Sequence, residues 1–161
     1  MTMNKPQKYI GNKPADTLRA AIENEGKWVY YLASEGLDRG LDPSFACDAM
    51  TELGEYYAGT TFDGCEQPAQ LAEKLMNRAM ECGHEAEIQD LGAEGFDLVI
   101  RYCPMLNMWD QLSDDRERKE ILCDAACSMY SGLGKKLGFD VGKACSIAHG
   151  CDHCRLSFRK A

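Results

Sequence analysis

Gly83-His84-Glu85-Ala86-Glu87-Ile88-Gln89, followed by Gly92-Ala93-Glu94-Gly95 and then by Phe96-Asp97-Leu98-Val99-Ile100-Arg101-Tyr102-Cys103, is the stretch on which the fold turns. Before Gly83, apolar residues recur every three or four positions, the spacing of a helix face. After it they alternate, the spacing of a strand with one buried side. A segment able to turn joins the two alternating runs, so residues 85–103 predict a β-hairpin with Phe96, Leu98, Ile100 and Tyr102 on one face. Pro104 ends the second strand, since it has no N–H to give to a ladder.

Upstream of the hairpin three helices are expected. Residues 68–82 carry Leu71, Leu75, Met76 and Met80 as a buried stripe, and Gly83 stops them as a C-terminal cap would. Residues 41–59 open on Asp42-Pro43-Ser44 and space Phe45, Met50, Leu53, Tyr56 and Tyr57 along one side, with Asp48, Glu52 and Glu55 on the other. The first helix starts at Pro14 to Asp16, where proline is tolerated and an acid suits the positive end of the dipole. Leu18, Ala21, Ile22, Trp28, Val29 and Leu32 make its apolar side, with Gly26 inside the pattern, and Gly36 closes it. Residues 1–13 have little apolar periodicity and read as a flexible, loosely held arm.

Downstream, residues 105–112 form a short apolar helical turn containing Trp109. Ser113-Asp114-Asp115 then caps the longest helix, residues 115–136, which buries Leu122, Ala126, Met129, Leu133 and Leu137 with Cys123 and Cys127 beside them. Phe139, Val141, Cys145 and Ile147 alternate as a strand, Gly150 begins a turn, and Cys154, Leu156 and Phe158 alternate as a last strand. This order predicts one α+β domain: a helical part over 14–82, then a part over 83–161 in which hairpin, long helix and hairpin build a mostly antiparallel sheet backed by helices.

With 161 residues the chain can bury a core without disulfides. Its N-terminus has no signal-length apolar run, and nowhere do about 18 apolar residues run together, so a cytoplasmic protein with no membrane contact is expected. Thiols stay free in that compartment, and the odd count of 9 cysteines agrees. A formal charge of -8 argues against nucleic acid as a partner. The two small basic groups, Arg116, Arg118 and Lys119, and Arg155, Arg159 and Lys160, read as solvated faces. No glycine-rich phosphate loop, Gly-x-Ser-x-Gly elbow or His-Glu-x-x-His is present.

The cysteines are the chemical signal. Cys123-x3-Cys127 sets two thiols one turn apart on a helix, Cys151-x2-Cys154 sits at a tight turn, and Cys103 ends a strand. With the long helix packed on the sheet, Cys103, Cys123, Cys127 and Cys154 are expected to meet as soft ligands for zinc or, alternatively, an iron–sulfur cluster. Cys145 and Cys151 are the alternates. A reactive thiol and plain core packing stay open as other roles. A thioredoxin-like dithiol fits less well, because Cys154 leads into an alternating strand rather than a helix. Cys47, Cys65 and Cys82 have no ligand-like spacing and read as packing residues, and His149 and His153 flank Gly150 as candidate ligands or proton carriers.

Cys103-Pro104, Cys123-x3-Cys127 and the ending Gly150-Cys151-Asp152-His153-Cys154-Arg155-Leu156-Ser157-Phe158 together resemble the L-2-amino-thiazoline-4-carboxylic acid hydrolase family, which is similar in shape to 4-vinyl-reductase-type ligand-binding domains. The resemblance spans about residues 84–160 and is one of topology in the N-terminal helices. It implies an α+β domain and, as in related sensory domains, a zinc held from the long helix and the last hairpin, with Cys123 and Cys154 at matching positions and Cys145 near a third. The family usually has aspartate directly after the glycine of the last turn. Here Cys151 stands there, which leaves the metal's identity open. The implied activity opens a thiazoline ring by water attack at an amidine-like carbon, with His149, Asp124 and Glu94 as candidates for moving protons. The expected protein binds or hydrolyses a small cyclic amidine in a pocket walled by Phe45, Tyr56, Tyr57 and Trp109, with a non-catalytic sensor or metal-binding module as the alternative. Pairing through the edge of the last strand would make a homodimer.

Overall fold

The computed structural model describes residues 4–161, and the change of period at Gly83 is realised in it. Helices α1 (Lys13–Asp38), α2 (Ser44–Ala58) and α3 (Pro68–Glu81) precede the hairpin of β1 (Glu85–Gly92) and β2 (Gly95–Tyr102). Then come α4 (Pro104–Leu112), α5 (Arg116–Leu137), β3 (Phe139–Cys145) and β4 (Cys154–Lys160). The local signals explain the boundaries. Asn12 Oδ1 accepts the Ala15 N–H at 3.1 Å before α1, and Asp115 Oδ1 accepts that of Arg118 at 3.0 Å before α5. Gly138, at φ 78°, ends α5 in the left-handed conformation that glycine adopts without strain.

All neighbouring strands are antiparallel, in the order β1-β2-β4-β3. In β2 and β4, Phe96, Leu98 and Ile100 lie opposite Phe158, Leu156 and Cys154, so one face of the sheet is apolar along its middle. Phe96 and Phe158 stack at 4.9 Å, and Tyr130 from α5 meets Phe158 edge-on at 6.2 Å, placing α5 over that face. On the other face Asp97 is held by Arg155 and Arg159, at 2.7 and 2.6 Å. The last strand is therefore interior, paired on both sides, and not the edge the sequence suggested; the edges are β1 and β3.

Two close approaches fix α1 and α5. A Cβ at Gly54 of α2 would stand 1.9 Å from Met129 O, and one at Gly132 of α5 would stand 2.0 Å from Thr51 O, so these helices touch backbone to backbone. At Gly26, Trp109 Nε1 donates to the glycine carbonyl at 2.9 Å and Met105 packs beside it. That contact decides which side of α1 is inside. Arg19, Ile22, Gly26, Tyr30 and Ala33 face inward, while Trp28 and Leu32, expected in the core, are 67% and 70% exposed on the opposite side, and Leu18 is exposed too. Met80 of α3 is likewise exposed.

Two further expectations change. The third strand stops at Cys145, and Ser146–Gly150 close a turn in which Cys151 N donates to Ser146 O at 3.1 Å. Residues 1–3 of the expected arm lie outside the described residues, but from Asn4 on the arm is tied down. Asn4 exchanges two hydrogen bonds with the Cys103 backbone, at 2.8 and 3.0 Å. The Gln7 and Lys8 N–H groups both donate to Glu85 Oε1 at 2.8 Å, and Arg19 closes on the same carboxylate at 3.0 Å with both side chains buried. Backbone polar groups, invisible to hydrophobic periodicity, hold this segment.

Candidate functional site

Between α5, the apolar sheet face and helices α1 to α4 lies a cavity of about 200 Å³. Met50, Leu53, Phe62, Leu75, Leu106, Trp109 and Leu133 supply apolar wall, and Tyr57 and Tyr130 add aromatic surface. Of the four aromatic residues expected around a pocket, Tyr57 and Trp109 line it. Tyr56, one residue along the helix, points out and is 64% exposed, while Phe45 packs its ring against Gly36 and is not among the lining residues.

The same cavity receives Cys103, Cys123, Cys127 and Cys154, the four cysteines that spacing had grouped, and with them Cys82, expected only to pack. Helix periodicity brings Cys123 and Cys127 to one face of α5, and strand register sets Cys154 opposite Ile100 beneath them. Hydrogen bonds from the Cys127 and Cys154 thiols to the Cys123 sulfur, helped by Ser146, hold the Cys123 thiol far below the ordinary thiol range. The same contacts, with burial, keep Cys127 and Cys154 well above it. Burial pushes Cys103 up to about 12, and it stays a neutral thiol. Among the described residues no group of three or more His, Cys, Asp and Glu that could hold a metal ion is found. The alternates Cys145, at the end of β3, and Cys151, in the β3–β4 connection, stand apart from the cavity wall, and Cys145 Sγ donates to His153 O at 3.0 Å.

Behind Cys123, away from the cavity, runs a polar chain. Its sulfur is 3.7 Å from Ser146 Oγ, and Ser146 Oγ is 2.7 Å from His149 Nδ1. His149 Nε2 is 3.6 Å from Asp124 Oδ1, an electrostatic separation longer than a hydrogen bond, and Lys143 Nζ pairs with the same carboxylate. The structure thus brings together two of the three proton carriers expected from the resemblance, His149 and Asp124. It separates the third: Glu94 lies in the β1–β2 turn, and Lys160 N binds its carbonyl there, at the end of β4 remote from Cys154. Ser146, only 1% exposed, is the member that sequence reading missed. A buried serine in a loop carries no periodic signal, and its role shows only once the turn folds back on α5. With the Cys123 sulfur ionised, one consistent proton pattern has Ser146 O–H donating to that sulfur and His149 Nδ1–H donating to Ser146 Oγ.

Comparison with curated proteins returns no match. Among solved structures, the chain is similar to a trafficking protein particle complex subunit 3 from Naegleria fowleri, described as covalently bound to palmitic acid. The TM-score is 0.63 at 14% identity, over 88% of this chain and 96% of that one, a likeness of fold. Among the described residues no helix is long and apolar enough to cross a membrane. The family model for L-2-amino-thiazoline-4-carboxylic acid hydrolase matches residues 13–158, nearly the whole of this α+β chain, and the protein belongs to that family.

Proposed function

We propose that the protein is a hydrolase for a small cyclic amidine of the 2-amino-thiazoline type, and that Cys123 is its nucleophile. The observation that carries this reading is the chain from Cys123 through Ser146 and His149 to Asp124, with the sulfur on the cavity wall and the histidine behind it. Loss of the Cys123 proton through the Ser146 hydroxyl to His149 leaves a thiolate facing the ligand and an imidazolium that Asp124 stabilises. The thiolate adds to the amidine carbon. One of that carbon's two ring bonds then breaks, and the departing ring atom takes the proton back from His149 by the same route. Water next attacks the carbon bound to sulfur, giving a proton to His149, and the thiolate leaves. The sum is one water added, one ring bond opened and Cys123 restored. The apolar wall excludes bulk water until ring opening, which strengthens each electrostatic contact.

The experiment is a hydrolysis assay with L-2-amino-thiazoline-4-carboxylic acid. Wild-type protein should open the ring, Cys123→Ser should abolish turnover, and His149→Ala should slow it by about 10²-fold or more. Full activity in Cys123→Ser would overturn the assignment. Zinc remains a proposal of its own: Cys103, Cys123, Cys127 and Cys154 would have to draw together around the ion. Elemental analysis of protein purified without added metal tests it, with about one zinc per chain as the supporting result.

The apolar lining favours a second reading, in which the cavity takes an acyl chain and a cavity thiol holds it as a thioester; the structure of similar fold is described as covalently bound to palmitic acid. Hydroxylamine-sensitive acyl mass on the protein as isolated would support it.

A further inference from the structure

The cavity has a second polar region, formed where α1, the end of α3 and the start of β1 meet. Arg78, His84, Glu25 and Cys82 line it there. His84 Nδ1 is buried and has no hydrogen-bond partner, one of two such side-chain atoms among the described residues. A buried polar atom left unpaired costs on the order of 1–3 kcal/mol, so its presence beside a cavity points to a group that comes and goes. Arg78 lies over the Tyr57 ring at 5.8 Å, interacts with the Tyr57 side chain, and pairs with the exposed Glu81 at 3.4 Å. A guanidinium has five N–H donors, so most of its capacity remains for a ligand. Glu25 is exposed and lines the same cavity, so an anion is drawn to the arginine and kept from the glutamate.

We infer that Arg78 and His84 form an anion subsite that takes the carboxylate of an amphipathic organic acid, whose apolar body then lies along the cavity toward Cys123. This rests on the reading of the cavity as a ligand site, and it deepens that reading by naming the residues, Arg78 and His84, that hold the carboxylate of such an acid. Arg78 supplies the charge, and His84 in its Nδ1–H form donates to the carboxylate. Burial holds the His84 imidazole down to about 4, so it acts as a neutral donor and adds no second charge.

The test uses binding alone. In a Trp28→Phe protein the remaining tryptophan is Trp109 on the cavity wall, and its fluorescence is titrated with octanoate and with 1-octanol. Octanoate should bind more tightly than octanol. Arg78→Gln should weaken octanoate about tenfold or more while changing octanol by less than about twofold, and Arg78→Lys should recover part of the loss. His84→Leu should weaken octanoate alone. Equal losses for both probes, or no change in Arg78→Gln, would overturn the subsite while leaving the cavity as a ligand site. Failure of wild-type protein to bind either probe would instead overturn the ligand-site reading, and the subsite with it.

Discussion

Replacing Ser146 by alanine removes one oxygen from a buried position and separates the two halves of the polar chain. The hydroxyl is 3.7 Å from the Cys123 sulfur and 2.7 Å from His149 Nδ1. It is the third hydrogen-bonding group on the sulfur, after Cys127 and Cys154, which contribute more. A hydrogen bond to a charged group is worth about 1.5–3 kcal/mol, and the long separation puts this one at the low end, about 1.5 kcal/mol. That is about one pKa unit. The Cys123 titration should therefore move up by about one unit and still lie below the ordinary thiol range, because the two neighbouring thiols remain. Stability should fall by only about 1 kcal/mol, since half-exposed His149 can take water in place of the hydroxyl. The assay follows ultraviolet thiolate absorption against pH, as the difference between each protein and its Cys123→Ser counterpart. A Cys123 midpoint that does not move, or a wild-type midpoint in the ordinary thiol range, would refute the reasoning.

Other perturbations probe the scaffold. Gly132→Ala puts a methyl group 2.0 Å from Thr51 O, where helix backbone cannot swing away as a flexible side chain can, so thermal unfolding should show a loss of about 1–3 kcal/mol. Glu85→Ala leaves the buried Arg19 charge uncompensated and strips the Gln7 and Lys8 N–H groups of their acceptor. It should cost about 3–5 kcal/mol, and limited proteolysis should cut near residues 5–12 first. His84 is neutral in the fold and held down to about 4, whereas in the unfolded chain it protonates near its ordinary value of 6.5. Acid then favours the unfolded state. Its contribution is fully present above about 6.5 and is lost as pH falls toward about 4, by up to about 3 kcal/mol, and His84→Leu should flatten that part of the denaturation profile.

Much of the architecture was legible in the sequence because hydrophobic period reports it directly. The switch at Gly83 placed the hairpin, and the caps at Asp115 and Gly138 placed the long helix within a residue of its observed ends. The side of α1 that faces inward was not legible, because it is chosen by a glycine. Gly26 adds nothing to an apolar stripe, yet it admits Trp109 and Met105, and this turns Trp28 and Leu32 outward. Nor could alternation show that the last strand is interior, since strand order depends on which hairpin docks beside β2. At the site, the cysteine spacings led to Cys103, Cys123, Cys127 and Cys154, and all four reach one cavity. What they do there depends on contacts across more than 20 residues of sequence, such as Cys123 to Ser146 and to Cys154, which no local pattern records. The partner groups of a thiol, rather than its spacing, set whether it behaves as a ligand, a nucleophile or core filler.

A covalent bond between Cys123 and the substrate's amidine carbon would show in the mass of protein quenched in acid during turnover of L-2-amino-thiazoline-4-carboxylic acid. The expected result is an added mass equal to one substrate molecule, on the peptide that contains Cys123, more abundant when His149→Ala slows the water step and absent from Cys123→Ser. Turnover with no such adduct in either protein, or an adduct on a different cysteine, would contradict it.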